Sequence, residues 1–365
     1  MNAVASLPPG VEVLPGQHDL LAVADQWNRL AEASGSPFYT AEWLNAWWNA
    51  FGSGTFTCLT LRNDDGLLQA VACCERRGNH LTATANANTE DWDVLAADDQ
   101  ARRTLWRALA ELGAGRLHLR GLRHPAGLDI AHDVLGRAGY SIAESIHNRS
   151  PYLQLPSTFD QLLGSVSPKL RKQLRYYRRA LEREGHLRFR TTVGGEWLER
   201  DLTAFFRLEG SSWKARAGTA ILSDRRTERL YRDFVHAAAC AGWLRLGLLE
   251  LNGEPIAGDL GCAFAGGSFL IKTGFDERYG RLSPGLVLRG EALRTSIEEG
   301  SRFYDFMGGP EAYKLRWTAE LRPRVTIRAY RGVWRPLVVY HTRIRPVLKA
   351  AVVQMRTSRK QGRRS

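Results

Sequence analysis

The chain has 365 residues, 44% hydrophobic and 24% charged, enough apolar material for two domains with a core each. That balance excludes a disordered or collagen-like chain, and five cysteines without Cys-x-x-Cys spacing exclude a disulfide-stapled miniprotein and read as small buried apolar residues. The net charge of +13 is uneven: residues 1–150 hold 12 basic and 17 acidic residues, and residues 151–365 hold 39 and 21, so an anionic partner is expected on the second half.

No basic residue precedes an apolar run in residues 1–16, and nowhere do the roughly 20 uninterrupted apolar residues of a membrane span occur. The expectation is a soluble, cytoplasmic protein. The nine histidines are scattered; His118, His124 and His132 come nearest to a cluster, without a His-Glu-x-x-His pairing, so no metal is expected.

Along the chain, residues 20–33 put Leu20, Val23, Ala24, Trp27 and Leu30 on one helical face. Thr40 is placed to cap a second helix over 42–51, whose Trp43, Leu44, Trp47 and Trp48 form an aromatic face. Such a face packs on a sheet or, as the alternative, walls a ligand cage. Strand-like runs at 56–62, 67–76 and 80–85 are joined by Asn63-Asp64-Asp65-Gly66 and Gly78-Asn79 as a meander. A helix over 98–112, a strand over 116–122, a helix over 128–138 and a strand over 140–145 complete an α/β unit. The proline-flanked residues 150–156 read as an extended crossover between domains.

The same order returns in the second half. Helices near 199–209 and 227–241 precede strands 244–251, 256–264 and 268–275; a helix over 285–299, a strand over 303–307, a short helix over 311–317 and a strand over 325–330 follow. Meander, helix, strand, helix, strand thus occurs twice, which duplication of one module explains.

Two stretches carry chemistry. In residues 273–286 a strand ends, a loop holds Arg278 and Arg281, and Ser283-Pro284 opens a helix. The amides of Gly285, Leu286 and Val287 at that start would hold a phosphate, or the helix is simply well capped. In residues 303–317 an acid, Asp305, lies in an apolar strand ahead of Gly308-Gly309 and of Tyr313-Lys314. A buried carboxylate needs a partner, and Lys314 or an arginine of the basic helix is the expected one, for a structural pair or for catalysis.

Ser36-Pro37-Phe38 with Glu42-Trp43-Leu44, the Pro151-Tyr152-Leu153-x-Leu155-Pro156 stretch, Leu170-Arg171 with Leu174-Arg175, Asn252-Gly253-Glu254-Pro255-Ile256-Ala257, Ser283-Pro284-Gly285, and Asp305-Phe306-x-Gly308 with Tyr313-Lys314 resemble, in this order over residues 20–330, the bacterial acyltransferases of cellulose or exopolysaccharide biosynthesis. Those enzymes belong to the GNAT superfamily and are related to the Fem peptidoglycan aminoacyltransferases. The resemblance implies a mixed α/β fold of two tandem GNAT units, each a central mixed sheet flanked by helices. Residues 1–155 would form a degenerate unit, 156–335 the acyltransferase unit with a basic helix at 169–190, and 336–365 a basic helix and tail. It also implies acyl transfer, acetyl above all, from acyl-CoA to an amine. The chain departs from the usual donor loop, with Pro284 and Leu286 where small residues belong.

Aminolysis of a thioester needs a base for the amine, donors for the oxyanion and a proton for the thiolate, but no separate nucleophile. On this reading Asp305 or Glu209 is or orients the base, Tyr313 protonates the thiolate, and Lys314 polarises the carbonyl or binds the acceptor. Amides of 271–274 face the oxyanion; Ile271, Thr273, Arg278, Arg281, Ser283, Gly285, Leu286 and Val287 hold the donor; Trp213, Lys214 and Arg175 touch the acceptor. Tyr176-Tyr177 among arginines also suits stacking on nucleic acid, and aminoacyl-tRNA is the alternative donor. The basic helix is otherwise a solvated face, or a contact for CoA phosphates, a sugar nucleotide or anionic lipid. The tail docks on the body or lies on an anionic membrane. A catalytically silent component of an envelope assembly is the alternative outside enzymes.

Overall fold

The computed structural model describes residues 7–123, 127–211, 218 and 220–344. Trp213, Lys214 and the tail from 345 onward lie outside them.

The chain opens with β1 (Val11–Val13), α1 (His18–Ala22) and α2 (Ala24–Ser34). The single helix expected over 20–33 is divided at Val23, whose φ of −109° and ψ of 8° fall outside the helical well. In α3 (Ala41–Phe51) the Thr40 hydroxyl accepts the Trp43 amide at 3.2 Å, the cap read from sequence. Strands β2 (Thr55–Arg62), β3 (Leu68–Arg77), β4 (His80–Ala83) and β5 (Leu95–Ala96) follow, then α4 (Asp99–Glu111), β6 (Arg116–Arg123), α5 (Leu128–Arg137) and β7 (Ser141–Gln154).

The second half runs α6 (Phe159–Ser165), α7 (Pro168–Glu184), β8 (Leu187–Thr192), α8 (Leu198–Gly210), α9 (Arg225–Cys240), β9 (Leu244–Leu251), β10 (Glu254–Phe264), β11 (Gly267–Phe275), α10 (Pro284–Glu298), β12 (Phe303–Asp305) and β13 (Leu321–Tyr330). All the described strands join one sheet in the order β1-β2-β3-β4-β6-β13-β7-β12-β11-β10-β9-β8, with β5 beside β3. The fold is a mixed α/β sheet flanked by helices.

Three sequence expectations change. Residues 150–154 form the end of β7, not a crossover outside the sheet: Tyr152, Leu153 and Gln154 pair with β12 while the earlier part of the strand pairs with β13. Pro151 has no N–H to give and lies just past the last β7–β12 pair, where its oxygen still accepts the Phe306 amide at 3.0 Å. Residues 311–317 form successive turns instead of a short helix. Cys58 and Cys73, opposite each other on β2 and β3, form a disulfide, whereas Cys74 and Cys262 are the small buried residues expected.

Two cores position the site. Helices α2 and α3 share a core with α8 and α9, where the Trp43 ring meets Phe234 edge-on at 4.7 Å. The tryptophans of α3 are therefore core on their inner face, as helical spacing suggested. Helices α4 and α5 cover the opposite face of β4, β6 and β13 through Leu105, Leu117, Ile327 and their neighbours.

Candidate active site

Strands β11 and β12 run parallel for only three pairs, Gly267↔Phe303, Ser268↔Tyr304 and Phe269↔Asp305. Beyond that point β12 ends and β11 continues to Phe275, so among the described residues no strand covers the β11 edge after Phe269. A cavity of about 290 Å³ opens at this parting. Residues 270–275 form one wall and residues 306–308 the other; Glu311, Tyr313, Lys314 and Glu90 complete the lining. Ile271 and Thr273, expected to hold the donor, lie in the wall.

Gly274 is there for close approach. A Cβ on it would stand 2.5 Å from the Glu209 Cα, so the end of α8 presses directly on the β11 wall. Glu209 itself is fully buried behind that wall and accepts the Ile221 amide at 2.8 Å; it is not in the cavity lining.

The second wall is a turn held by charge. Met307 and Gly308 both have left-handed backbone, φ 49° and 59°, a conformation that costs a non-glycine residue about 1–2 kcal/mol. The buried Lys314 ammonium anchors it, donating to the carbonyls of Met307 at 2.6 Å and Gly309 at 3.3 Å and pairing with Glu311 at 2.7 Å. Burial pulls the Lys314 pKa down, against the opposing pull of Glu311. Lys314 thus shapes the cavity, and its three donors are already engaged.

Asp305 has a partner, and it is neither of those expected. Its carboxylate accepts from the Arg324 guanidinium at 3.0 Å, from the Met307 amide at 2.9 Å and from the Ser150 hydroxyl. Arg324 reaches it from β13 and also pairs with Asp91, which Arg123 holds at 2.9 Å and Ser36 at 2.7 Å. Asp305 is 2% exposed and absent from the cavity lining. A carboxylate saturated by a guanidinium, an amide and a hydroxyl is a joint between strands rather than a base. The sequence missed Arg324 because it sits 19 residues away on a strand that returns beside β7.

The start of α10 also departs from expectation. Ser283 takes a left-handed conformation, φ 47°, and its side chain makes no cap. Its carbonyl instead accepts the amides of Leu286 at 3.0 Å and Val287 at 3.5 Å, which removes both from the expected phosphate cradle; the Val287 bond is the ordinary first bond of a helix. Gly285 and the exposed Arg281 remain at the helix start, while Arg278 is turned onto Asp276 at 2.6 Å. Helix α7 flanks this loop through Tyr177, which packs against the same apolar cluster as Tyr279 and Leu282. Arg175 lies exposed on the outer face of α7, and Arg178 pairs with Glu291 of α10.

Tyr313 lines the cavity with its ring partly exposed, and burial of its phenol raises the pKa. The residue sequence reasoning overlooked is Glu90. It comes from the loop after β4, in the first half, and enters the cavity of the second. Burial raises its carboxyl pKa, tempered by the Asn148 amide at 2.8 Å and by the charge of Arg324. Lys272, also in the lining, stands 5.3 Å above the Tyr231 ring. Among the described residues no group of His, Cys, Asp and Glu is arranged to hold a metal ion.

This geometry, a mixed sheet whose parallel strands part over a cavity with a helix start beside it, is that of the GNAT fold. Residues 168–315 match the model of a family described as an acetyltransferase (GNAT) domain. Among solved structures the chain is similar to FemX, at 13% identity over 87% of this chain and 97% of that one, with a TM-score of 0.61. It is similar too to L-PGS from Bacillus licheniformis, at 14% identity over 83% and 95%, TM-score 0.53. A C-terminal DUF2156 domain from Agrobacterium fabrum, assigned to a lysylphosphatidylglycerol synthetase, matches at 13% identity over 86% and 93%, TM-score 0.55. At these identities the likeness is one of fold. No curated protein matches the chain.

Proposed function

We propose that the chain is an N-acyltransferase that moves an acyl group, acetyl above all, from acyl-CoA to an amine on an amino sugar or cell-envelope precursor. The observation that carries this reading is the open β11 edge over a 290 Å³ cavity lined, apart from Glu90, by residues that match the acetyltransferase domain.

The uncovered β11 edge offers backbone groups to an amide-bearing donor arm and donors for the oxyanion. Arg281 and Gly285 lie at the positive end of α10, where the donor diphosphate belongs. Arg278 joins them by leaving Asp276. Glu90 takes the proton from the acceptor ammonium: a carboxylate raised by burial is a stronger base than a solvated one. Tyr313 stays protonated and faces the same cavity, so it supplies the proton to the departing thiolate. Asp305 and Lys314 hold the strand end and the 307–309 turn that shape the wall. The division into units at 1–155 and 156–335 is part of this proposal, as Glu90 would then be given by one unit to the cavity of the other.

The basic outer face of α7 and the fold shared with FemX support aminoacyl-tRNA as the second reading for the donor. Thermal melting with acetyl-CoA and with charged tRNA separates the two. Acyl-CoA transfer predicts stabilisation by acetyl-CoA and release of free thiol with an amine acceptor. In Glu90→Gln turnover should fall by about 10²–10⁴ and its acidic pH limb should vanish. Full turnover in that variant removes Glu90 as base, and neither stabilisation nor thiol release with acetyl-CoA removes the acyl-CoA reading.

A further inference from the structure

We propose that the first half carries a second binding site, for a small phosphate ester, in the cleft where β4 and β6 part. The strands run parallel through His80↔Arg116, Leu81↔Leu117 and Thr82↔His118, and β4 then ends at Ala83. This repeats the parting of β11 and β12. A cavity of about 400 Å³ fills it, a size suited to a small molecule.

Arginines supply the positive charge of the lining, because burial lowers the pKa of both histidines in it. Arg77 and His80 enter from one wall, His118 and Arg120 from β6, and Arg226 from the first turn of α9. The acid among the lining residues is Glu75, and it is occupied: it accepts the amides of Ser53 at 2.8 Å and Gly54 at 2.6 Å and pairs with Arg77 at 3.0 Å. The Arg120 Nε is buried with no hydrogen-bond partner, and among the described residues no carboxylate pairs with this lining guanidinium, which leaves its charge to be met by an anion in the cavity. His118 faces Arg328 of β13, His80 of β4, Arg120 of its own strand and His341 near the end of the described chain. Burial, reinforced by the charges of these groups, holds its imidazole down at about 4.

A phosphate monoester carries close to two negative charges at neutral pH and offers three acceptor oxygens, which match the guanidinium donors of the lining. Trp47 and Phe51 give the cavity an apolar wall for the organic part of the ester. The ligand differs from the acyl donor proposed above. The helix that follows this cleft, α4, begins with Asp98 and Asp99, and the Asp98 carboxylate already takes the Ala101 amide at 2.7 Å, so the helix start that suits a diphosphate in the second half is acidic here.

Calorimetric titration of the full chain with glycerol 3-phosphate and with inorganic phosphate, at fixed ionic strength, tests the site. Saturable binding is expected, weakened about tenfold or more in Arg120→Gln and Arg226→Gln and less than twofold in Arg137→Gln, an exposed arginine of α5. In parallel, the His118 titration midpoint followed by NMR should rise from about 4 when ligand is added, since a bound anion stabilises the imidazolium. If Arg120→Gln does not fold, Arg226→Gln decides, because Arg226 lies on the surface of its helix. Tighter binding of the ester than of inorganic phosphate assigns the apolar wall to the ligand; equal binding restricts the site to the phosphate group and overturns the ester. No saturable binding, an equal loss in Arg137→Gln, an unmoved His118 midpoint, or binding confined to an RNA oligomer that phosphate does not displace overturns the site. None of these residues lines the β11/β12 cavity, so the outcome is independent of acyl transfer.

Discussion

A single guanidinium, that of Arg324, holds three distant segments together. It lies 1% exposed between Asp91, from the loop after β4, and Asp305, at the end of β12. Such a group is tolerable in the interior only because both carboxylates and their further partners neutralise it. Burial would raise the Asp91 pKa, but the charges of Arg123 and Arg324 and the Ser36 hydroxyl outweigh it and hold the carboxyl down at about 2. Removal of one partner should cost about 3–5 kcal/mol, so urea unfolding of Asp91→Asn is expected to show a loss of that order. Because the folded pKa lies below the unfolded value of about 3.9, this contribution is complete above pH 4 and fades as the pH falls toward about 2.

Asp93, two residues on, has the opposite sign. Burial raises its carboxyl to about 7, with Arg102 only partly opposing. The folded state therefore binds its proton more tightly than the unfolded state, and stability falls as the pH rises from about 4 to about 7. Asp93→Asn keeps an acceptor for the Val94 amide, now at 2.8 Å, and cannot ionise. Its Tm should gain on the parent chain across that window and keep a constant margin above it; a margin independent of pH would contradict the assignment.

At the scale of elements, the contact between α8 and β11 depends on one missing Cβ. Gly274→Ala would push a methyl against the Glu209 backbone, which cannot step aside as a flexible side chain would. An overpacking cost of about 1–3 kcal/mol is expected, with lower affinity for acyl donor because the wall moves. Unchanged Tm and unchanged donor binding would show that α8 is free to shift. The amphipathic helices and the meanders were legible in sequence, because a 3.6-residue or two-residue period is a local property. The break at Val23, the turns over 311–317 and the left-handed Ser283 were not, since no local period marks them. The Lys314 ammonium, for example, draws the carbonyls of Met307 and Gly309 onto itself, and no spacing rule records that.

On the scale of the molecule, alongside the β7–β12 pairing, β13 joins the halves. It pairs with β6 from Tyr330 back to Arg324 and with β7 from Tyr330 back to Leu321, so the last described strand closes the sheet begun by the first half. Val325, Ile327 and Ala329 bury themselves in the same core as Leu117 and Leu119. Helices α3 and α9 pack together on the other side. With a continuous sheet and a shared core, calorimetric unfolding should give one transition with equal calorimetric and van't Hoff enthalpies. Two resolved transitions would show that the halves melt separately.

Sequence by itself determined the mixed α/β character, the repeat of meander, helix and strand, the cationic second half, and the stretches 273–286 and 303–317, which contribute to the cavity walls. These follow from periodicity, turn chemistry and charge, all readable over a few residues. Tertiary structure alone decided that Arg324 answers Asp305, that Lys314 serves the 307–309 turn, and that Glu90 from the first half enters the cavity of the second. The reason is that strand neighbours in a sheet are chosen by hydrogen bonding and burial over the whole chain. A carboxylate more than 200 residues from its guanidinium, as Asp91 is from Arg324, leaves no local trace.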